Sequence, residues 1–530
     1  MMQTKTRKKS KEQIMIRNSE EKFSQRGIRG EKVTVLSEPL LEFRYDQRVQ
    51  DPREGLSLFG PLDANTPGSP KDLSYGLIGT ETGVKKFVEF SKYLRSPVIL
   101  DASTKNPRLW PAFPGFDVAF DCKFPEHATR TFLVDEGQLL AASRKSDPNQ
   151  RAYAVVEHYV KGIEKLKSKT DERLDVVICV VPEEIWKNCR PKSLVRDATG
   201  EVTTPEQRKM RAGKQKELFR EVDFVPYEYA VDFRRQLKAR VMKYEIPIQI
   251  VRETTLRTNE EVKFGDRILT PPQDRAWNLG LALYYKAGGK PWRLSTARDG
   301  VCYIGLVYRR TDPIHEKRTA CCAAQMFLDT GDGVVLRSDF GPWYSPSTKQ
   351  LHLSYEAAQK LLRKVLSTYE SLGGKRLKEV FLHYRSSIDS DEYQAFKSVC
   401  PQDVKIVAIR VAAERFGVHL YREGTRPMIR GAFWKITDRL GYLWGSGFKA
   451  RLGTYDGLET PVPLRIQIEY GEADIMQVAT DILGLTKLNF NECKFGDSAP
   501  VTIGFSDAVG EILVSNPSIS DPSPRFKHYI

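Results

Sequence analysis

The sequence predicts an α/β protein with more than one domain, and three observations support this prediction. The 530 residues are too many for a single hydrophobic core. Continuous apolar runs of strand length alternate with longer amphipathic segments, which is the pattern of a sheet covered by helices. The pattern is interrupted near residue 292 and then begins again with a new series of strands. We therefore expect two successive α/β domains, at 151–292 and 293–530.

The segment 151–292 is expected to form a Rossmann-like layer of helices on a parallel sheet. A helix from about residue 152 leads to the apolar run LDVVICVVP at 174–182, which predicts a buried strand. A basic insertion follows at 190–213. A helix that ends before Pro247 then precedes a short strand, and a second helix stops at a Gly-Gly pair, which is a strong C-cap signal.

The segment 293–530 predicts an RNase H-like sheet. Three strands come first, the second and third of them joined by a turn at 330–333. Helices and strands then alternate, which is the order of elements in that fold. We expect the apolar segment VTIGFS at 501–506 to form the last strand.

The N-terminal part of the chain gives weaker signals. Residues 1–30 are polar and basic, which predicts a flexible tail. The residues DPREG at 51–55 predict the turn of a hairpin. The segment 31–150 either completes the layer that follows or forms a partner interface. A proline-rich stretch suggests a partner surface or an irregular packed loop; its aromatic residues are Trp110, Phe113 and Phe116.

The composition favours a polyanionic partner. The 83 Lys and Arg residues exceed the 68 Asp and Glu residues, which gives a formal net charge of +15. Such an excess is typical of nucleic-acid-binding proteins, although a generally basic protein would show it too. The eight cysteines form no C-x-x-C pair, so neither a zinc site nor a disulfide framework is expected. Without a long apolar run or a signal peptide, we expect a cytoplasmic protein that does not enter a membrane.

Four side chains form a candidate anion site. Arg234 and Lys238 are four residues apart in a predicted helix and therefore share one face. Gln249 follows on the next strand, and Lys286 lies in the last turn of the second helix. A terminal phosphate suits such a group because it carries about −1.5 to −2 charges and several acceptor oxygens. The alternative is a solvated helix face, with Lys286 merely complementing the helix dipole.

The order and spacing of these residues resemble the MID domain of Argonaute proteins. In that family a Tyr, a Lys, a Gln and a Lys hold the 5′-phosphate of a guide strand. Lys238, Gln249 and Lys286 match three of these positions, and Arg234 stands where the Tyr usually is. The resemblance covers roughly residues 150 to 530 and includes LTKLNF near the end. It implies that 151–292 is a MID domain and that 293–530 is a PIWI domain.

The resemblance also implies a PIWI domain without slicing activity. RNase H-like nucleases hold two metal ions with clustered carboxylates. Leu306 and Val307 stand where the first Asp is expected, Ser386 replaces the second, and Phe505 is nearest to the last ligand. None of these side chains can supply the charge that holds Mg²⁺. We therefore expect no catalytic residues and no enzyme activity in this chain.

An inactive MID–PIWI chain resembles the short prokaryotic Argonautes. The resemblance implies a sensor subunit that binds a guide RNA and recognises complementary single-stranded target DNA. It further implies an APAZ-containing effector partner, with a TIR, Sir2 or nuclease domain, in defence against plasmids and phage. Two alternatives remain: an RNase H-like nuclease with unusual metal ligands, and a nucleic-acid-binding protein that uses no guide.

The resemblance implies three further features of guide binding. Family members often hold a Mg²⁺ ion at the guide 5′-phosphate, and the C-terminal carboxylate, here that of Ile530, can join it. The ending RFKHYI suits a segment tucked into the protein. Arg465 and Lys487 are candidates for contacts with the phosphate backbone, with solvated surface as the alternative.

Overall fold

The computed structural model describes most of the chain. The described residues are 33–100, 106–168, 173–191, 193, 195, 231–258, 270–310, 320–327, 333–338, 344–345, 350–372, 375–457, 459–515 and 525–530. The expected N-terminal tail and most of the basic insertion lie outside these residues. Among the described helices, none combines the length and apolar character needed to cross a lipid bilayer.

The strands and helices follow the α/β pattern along the described residues. The strands are Thr34–Val35 (β1), Leu41–Glu42 (β2), Arg48–Val49 (β3), Tyr75–Gly79 (β4), Arg130–Leu133 (β5), Val176–Val181 (β6), Ile248–Arg252 (β7), Arg293–Leu294 (β8), Val301–Arg310 (β9), Ala320–Phe327 (β10), Gly333–Arg337 (β11), Tyr344–Ser345 (β12), Gln350–Leu351 (β13), Glu379–Tyr384 (β14), Lys405–Ala413 (β15), Ala432–Thr437 (β16), Leu440–Leu443 (β17) and Leu464–Tyr470 (β18). The α-helices are Pro52–Phe59 (α1), Glu81–Arg95 (α2), Phe116–Phe120 (α3), Glu136–Ser143 (α4), Pro148–Lys167 (α5), Glu183–Asn188 (α6), Phe233–Val241 (α7), Pro272–Ala287 (α8), Tyr355–Ser371 (α9), Ser390–Val399 (α10), Ile475–Leu485 (α11), Val501–Gly504 (α12) and Ser506–Val514 (α13).

A parallel sheet of four strands, in the order β5-β4-β6-β7, forms the first layer. Every residue of β6 is buried, because helices cover both faces of the sheet, as the apolar run at 174–182 predicted. β4 and β5 lie before residue 151, so this layer begins earlier in the chain than expected. Two strands of the segment 31–150 therefore belong to this layer, whereas β1 pairs with β16 in a second sheet. The alternative role of this segment as a partner interface stays a prediction.

A mixed sheet of nine strands forms the second layer, in the order β1-β16-β17-β18-β15-β14-β9-β10-β11. β9, β10 and β11 are antiparallel neighbours, whereas β14 is parallel to both β9 and β15. This is the arrangement expected from three strands followed by alternating helices and strands. The predicted α/β class is thus confirmed for both layers.

The hairpin predicted at DPREG is wrong, because these residues begin helix α1. The Asp51 side chain accepts a hydrogen bond from the Arg53 backbone N–H, and Pro52 is the first helical residue. Asp before Pro is a turn signal but equally a helix N-terminus signal, and here the second applies.

The last strand expected at 501–506 is also wrong, since α12 and α13 occupy this segment. Both helices pack on β9. A side chain at Gly305 of β9 would collide with the Thr502 carbonyl oxygen, so glycine permits the close approach of α12. An apolar run of this length fits a strand or a buried helix equally well, and the need to cover β9 decides between them.

The proline-rich stretch at 108–116 is a packed loop rather than an exposed partner surface. Phe113 and Phe116 are fully buried. Phe113 contacts Trp277 of α8 edge-on with ring centroids 5.0 Å apart. The loop therefore helps to fix α8, which carries Lys286 in its last turn.

Candidate anion-binding site

Helix α7 places two cations at one end of the parallel sheet. The Asp232 side chain caps the helix by accepting from the Arg235 backbone N–H. Phe233 packs edge-on against Tyr159, with ring centroids 5.3 Å apart, and this contact orients the helix on the sheet. As a result Arg234 is exposed, whereas Lys238 is only 4% exposed.

Lys286 comes to the same place from helix α8. The helix ends at Gly288, whose φ of 107° lies in the left-handed region that glycine adopts readily. Lys286 is 0% exposed, and its Nζ donates to the Ile530 main-chain oxygen at 2.8 Å. Lys238 Nζ donates to the Tyr529 carbonyl oxygen at 3.0 Å. Three expected site residues, with Ile530, are thus close together.

Neither Lys238 nor Lys286 forms an ion pair with an Asp or Glu side chain among the described residues. Burial, then the charges of Lys286 and Arg234, hold the pKa of Lys238 well below its usual value. Burial, followed by the charges of Arg234 and Lys527, lowers the pKa of Lys286 to about 7. The neighbouring Arg235 is different, because it forms an ion pair with Glu511. Burial of an ammonium is costly, and Lys238 donates only to the uncharged Tyr529 carbonyl oxygen, so an anion beside Lys238 would be favoured.

A cavity of about 350 Å³ opens beside Lys238. Its described lining comprises Trp186, Cys189, Arg190, Pro191, Asp232, Phe233, Arg234, Arg235, Lys238, Ile512 and Tyr529. Lys286 lies behind this lining, close enough for its charge to act on Lys238. The cavity is therefore lined by the buried Lys238 and the exposed Arg234, with the charge of Lys286 nearby.

Trp186 of α6 contacts three arginine side chains, of which two line the cavity and the third, Arg252, is paired with Glu183. The guanidinium carbons of Arg190, Arg252 and Arg234 lie 4.4, 4.7 and 5.7 Å from its ring centroid. Cation–π contacts of this kind hold arginine side chains in place. Trp186 and Arg252 could not be recognised as neighbours from the sequence. They come together because β6 pairs with β7, which sets Val181 opposite Arg252.

Gln249 is not joined to this cluster by any contact among the described residues. It lies on β7 opposite Ile178 of β6. Its Nε2 donates to the Ile250 carbonyl oxygen at 3.3 Å, and its Oε1 is buried without a hydrogen-bond partner in the described part of the chain. The predicted part of Gln249 in anion binding therefore stays a prediction.

The last described segment, 525–530, is packed into the protein, as its aromatic residues suggested. Phe526 contacts Phe327 of β10 and Phe505 edge-on, with ring centroids 5.3 and 5.5 Å apart. Lys527 Nζ donates to the Lys286 carbonyl oxygen at 3.0 Å. These contacts fix the main-chain oxygens that accept from Lys238 and Lys286.

The two candidate contacts with a phosphate backbone differ in the structure. Lys487 is 3% exposed, donates to the carbonyl oxygens of Gln50 and Phe495 and pairs with Glu38 at 2.7 Å. All three of its N–H donors are thereby used inside the protein, so the expected contact was wrong for Lys487. Arg465 is half-buried on β18 and donates to the Gln467 side chain at 2.9 Å, so a nucleic-acid contact stays a prediction for it.

The positions expected to carry catalytic carboxylates hold two buried aliphatic residues, one partly buried ring and one exposed serine, Ser386. Leu306 and Val307 are buried on β9. Arg385, the residue before Ser386, donates to the Ile503 carbonyl oxygen at 3.0 Å. Phe505 packs against Phe526 of the segment 525–530. Among the described residues, no three His, Cys, Asp or Glu side chains are grouped closely enough to hold a metal ion.

Comparisons with known proteins relate this chain to Argonautes. No protein-family model matches. The Argonaute of Aquifex aeolicus (strain VF5) is 21% identical to this chain over 281 residues, which are 52% of this chain and 35% of the relative. The sequence similarity thus covers about half of this chain and about a third of that protein.

Solved Argonaute structures share the fold. Clostridium butyricum Argonaute bound to a guide DNA and a 19-mer target DNA matches 95% of this chain and 55% of that chain, with a TM-score of 0.59 and 16% identity. Aquifex aeolicus Argonaute with externally bound siRNA matches 94% of this chain and 56% of its own chain, with a TM-score of 0.55 and 14% identity. The chain spans just over half the length of these structures. Its fold is that of the corresponding part of an Argonaute.

Proposed function

We propose that this chain is an Argonaute-like protein that binds the 5′-phosphorylated end of a guide RNA. The observation that carries the proposal is the pair of buried lysines, Lys238 and Lys286, beside a cavity with Arg234 at its mouth. Neither lysine forms an ion pair with an Asp or Glu side chain among the described residues. Both donate only to main-chain oxygens there, so each ammonium has N–H groups left for an anion.

A terminal phosphate fits the charges and donors of this cavity. It brings about −1.5 to −2 charges and three acceptor oxygens, and charge-assisted hydrogen bonds are about twice as strong as neutral ones. A phosphodiester within a strand carries a single charge and is flanked by sugars on both sides. The buried Lys238 in the cavity lining therefore favours the more highly charged end of a strand over its middle.

Replacing Arg234 and Lys238 together with alanine should weaken binding of a 5′-phosphorylated guide RNA by about 100-fold or more, because hydrogen bonds to charged groups contribute roughly 1.5–3 kcal/mol each. Binding of the same RNA with a 5′-hydroxyl should change by less than about threefold, since its contacts with the remaining strand persist. Titration of both RNAs with native and variant protein measures this difference.

Lys243→Ala is the matched control for this experiment. Lys243 is exposed just after α7 and lies over the Tyr244 ring, 4.8 Å from its centroid, so the variant removes one cation nearby without touching the cavity. It should leave the preference for the 5′-phosphate intact. Equal losses for phosphate and hydroxyl guides in the Arg234/Lys238 variant would refute a phosphate pocket.

A Mg²⁺ ion at the guide phosphate is a further part of the proposal. The described residues around Ile530 supply mainly cations and main-chain oxygens, and Asp232, the acidic side chain of the cavity lining, caps helix α7. Such a donor set does not suit Mg²⁺ by itself, because Mg²⁺ prefers carboxylate, phosphate and water oxygens. The ion would thus be held by the guide phosphate and the Ile530 carboxylate, and no step depends on it.

We further propose that the guide-loaded chain recognises complementary single-stranded DNA and activates an APAZ-containing effector in defence against plasmids and phage. Clostridium butyricum Argonaute, which shares the fold, holds a guide and a target strand. A guide that is fixed at one end has already lost part of its conformational entropy before the target arrives. Less entropy is then lost on pairing, so the pairing with a target is stronger. The effector domain, whether TIR, Sir2 or nuclease, would reside in the partner.

We propose that the chain itself does not cut nucleic acid. The supporting observation is the apolar and hydroxyl side chains at the expected metal positions, above all Val307 and Ser386. The purified chain with guide, complementary DNA and Mg²⁺ should therefore give no guide-directed products on a denaturing gel. A cut at a fixed distance from the guide 5′ end, abolished by a chelator, would favour the nuclease alternative.

A further inference from the structure

The loop between β15 and β16, residues 414–431, presents the two most exposed aromatic side chains of the described residues. Phe416 is 94% exposed and Tyr421 is 77% exposed. Single exposed apolar residues are common and need no explanation. Two aromatic rings only five positions apart, in a loop that also carries several basic side chains, are a more specific feature. We propose that this loop is a second nucleic-acid contact, on which the unpaired bases of a single strand stack.

Arginine residues flank the two rings in the sequence. Arg415 is exposed next to Phe416, and Arg422 is exposed next to Tyr421. The guanidinium carbons of Arg422 and Arg426 lie 5.1 and 4.5 Å from the Phe448 ring centroid, so a cation–π contact holds both side chains in place. The loop thus combines ring faces for bases with positive charges for phosphates, which is how sequence-tolerant single-strand sites are built.

The acidic residues of the loop do not cancel this arrangement. Glu414 is half-buried at the start of the loop, and Glu423 is exposed beyond Tyr421. Neither lies between the two rings in the sequence, where the exposed side chain is His419, and the Glu414 carboxylate reaches only to Gly417. The stretch from Arg415 to Arg422 therefore contains two cations, a histidine and no carboxylate.

The protein interior anchors the backbone that carries the rings. Val418 and Leu420 pack against a buried cluster of Met428, Ala432 and Trp444. They alternate with His419 and Tyr421, which are exposed. Such alternation is typical of an extended segment with one face inward. Because the loop is already anchored, stacking a base on Tyr421 would cost little ordering entropy.

The chemistry of the exposed face favours nucleic acid over a protein partner. A protein interface usually has a contiguous apolar core inside a polar rim. Here the aliphatic residues Val418 and Leu420 face inward, and each exposed ring is flanked by an arginine. The formal net charge of +15 also favours a polyanion at basic surface sites.

This surface is separate from the anion-binding cavity. The cavity lining includes Ile512 of α13, and α13 packs on β10. β16 is six strand positions from β10 in the sheet order, which corresponds to roughly 29 Å at about 4.8 Å per strand. The inference therefore goes beyond the proposed function and does not depend on it, since a strand could bind this loop whether or not its 5′ end is held.

The test uses a fluorescent oligodeoxythymidylate of about 20 nucleotides with a 5′-hydroxyl, which gives the phosphate cavity nothing to recognise. In anisotropy titrations, the variant Phe416→Ala with Tyr421→Ala should bind it about 10- to 100-fold more weakly than the native chain, since each base stacked on an aromatic ring contributes on the order of tenfold. Tyr355→Ala, at an exposed ring on α9, is the control and should bind like the native chain. Circular dichroism melting checks that the variants are folded.

A second variant keeps the loop intact and reports stacking directly. Tyr421→Trp should bind the oligonucleotide normally and show quenched emission, relative to the native chain, when bases stack on the new indole. Native affinity in the double alanine variant, or unchanged emission in the Tyr421→Trp variant, would overturn the inference. Loss of a co-purifying protein from the double variant, with native oligonucleotide affinity, would identify the loop as a protein interface instead.

Discussion

Lys286→Met should stabilise the guide-free protein and remove most of its preference for a 5′-phosphorylated guide. Lys286 is 0% exposed, and burial followed by the charges of Arg234 and Lys527 lowers its pKa to about 7. A lysine lowered this far from its usual pKa costs the folded state up to roughly 5 kcal/mol at neutral pH. Methionine has a similar length and no charge, so it removes this cost.

The gain in stability is partly offset, because methionine also removes the hydrogen bond to Ile530. A net stabilisation of about 1–4 kcal/mol is expected, which is the cost of burying the ammonium less the contribution of the lost hydrogen bond. Thermal unfolding measures it as a rise in Tm of a few degrees. The affinity for a phosphorylated guide should fall about 10- to 100-fold, by the loss of one charged hydrogen bond and one nearby charge.

Lys364→Met provides the control for both measurements. Lys364 is exposed on α9, in the other layer of the protein, and its replacement should leave Tm and guide preference nearly unchanged. If Lys286→Met instead lowered Tm and preserved the guide preference, Lys286 would be a structural residue whose hydrogen bond to Ile530 outweighs the cost of its burial. The proposed pocket would then have lost one of its three cations.

The sequence predicted the cations of the site better than their surroundings. Arg234 and Lys238 share a helix, so their spacing alone places them near each other. The resemblance to a known family added Lys286 from a second helix. Burial of Lys286 against Ile530 depends on a contact between residues 244 positions apart, which no local pattern encodes.

Errors in the fold arose where one sequence signal has two structural meanings. Asp51 and Pro52 fit a turn or a helix start, and VTIGFS fits a buried strand or a buried helix. In both cases the surrounding structure decides. Lys487 shows the same limit for the prediction of function. Its neighbours in the sequence do not indicate that Glu38, far away in the sequence, pairs with it inside the protein.

The preference for a 5′-phosphate should depend on pH, with a maximum between about pH 6 and 7. Above pH 7 the guide-free protein increasingly loses the Lys286 proton, whose pKa is about 7. Binding a phosphate then requires the neutral lysine to take up a proton. For each lysine that does so, the affinity for the phosphorylated guide falls by up to about tenfold for each pH unit. Below about pH 6 the phosphate itself is protonated and loses charge. The ratio of guide affinities with and without the phosphate, measured from about pH 6 to 9, tests this dependence.

The same group predicts an opposite trend for the stability of the guide-free protein. The folded state holds the Lys286 pKa below its unfolded value, so the unfolded state binds more protons in the window from about 7 to 10.5. The unfavourable contribution of Lys286 is therefore complete below about pH 7 and is relieved as pH rises through this window. The stabilising effect of Lys286→Met should accordingly be larger at about pH 7 than at about pH 9, and this variant should show a flatter pH dependence of guide preference. A phosphate preference that stays constant over this range would show that neither lysine changes its proton when a guide binds.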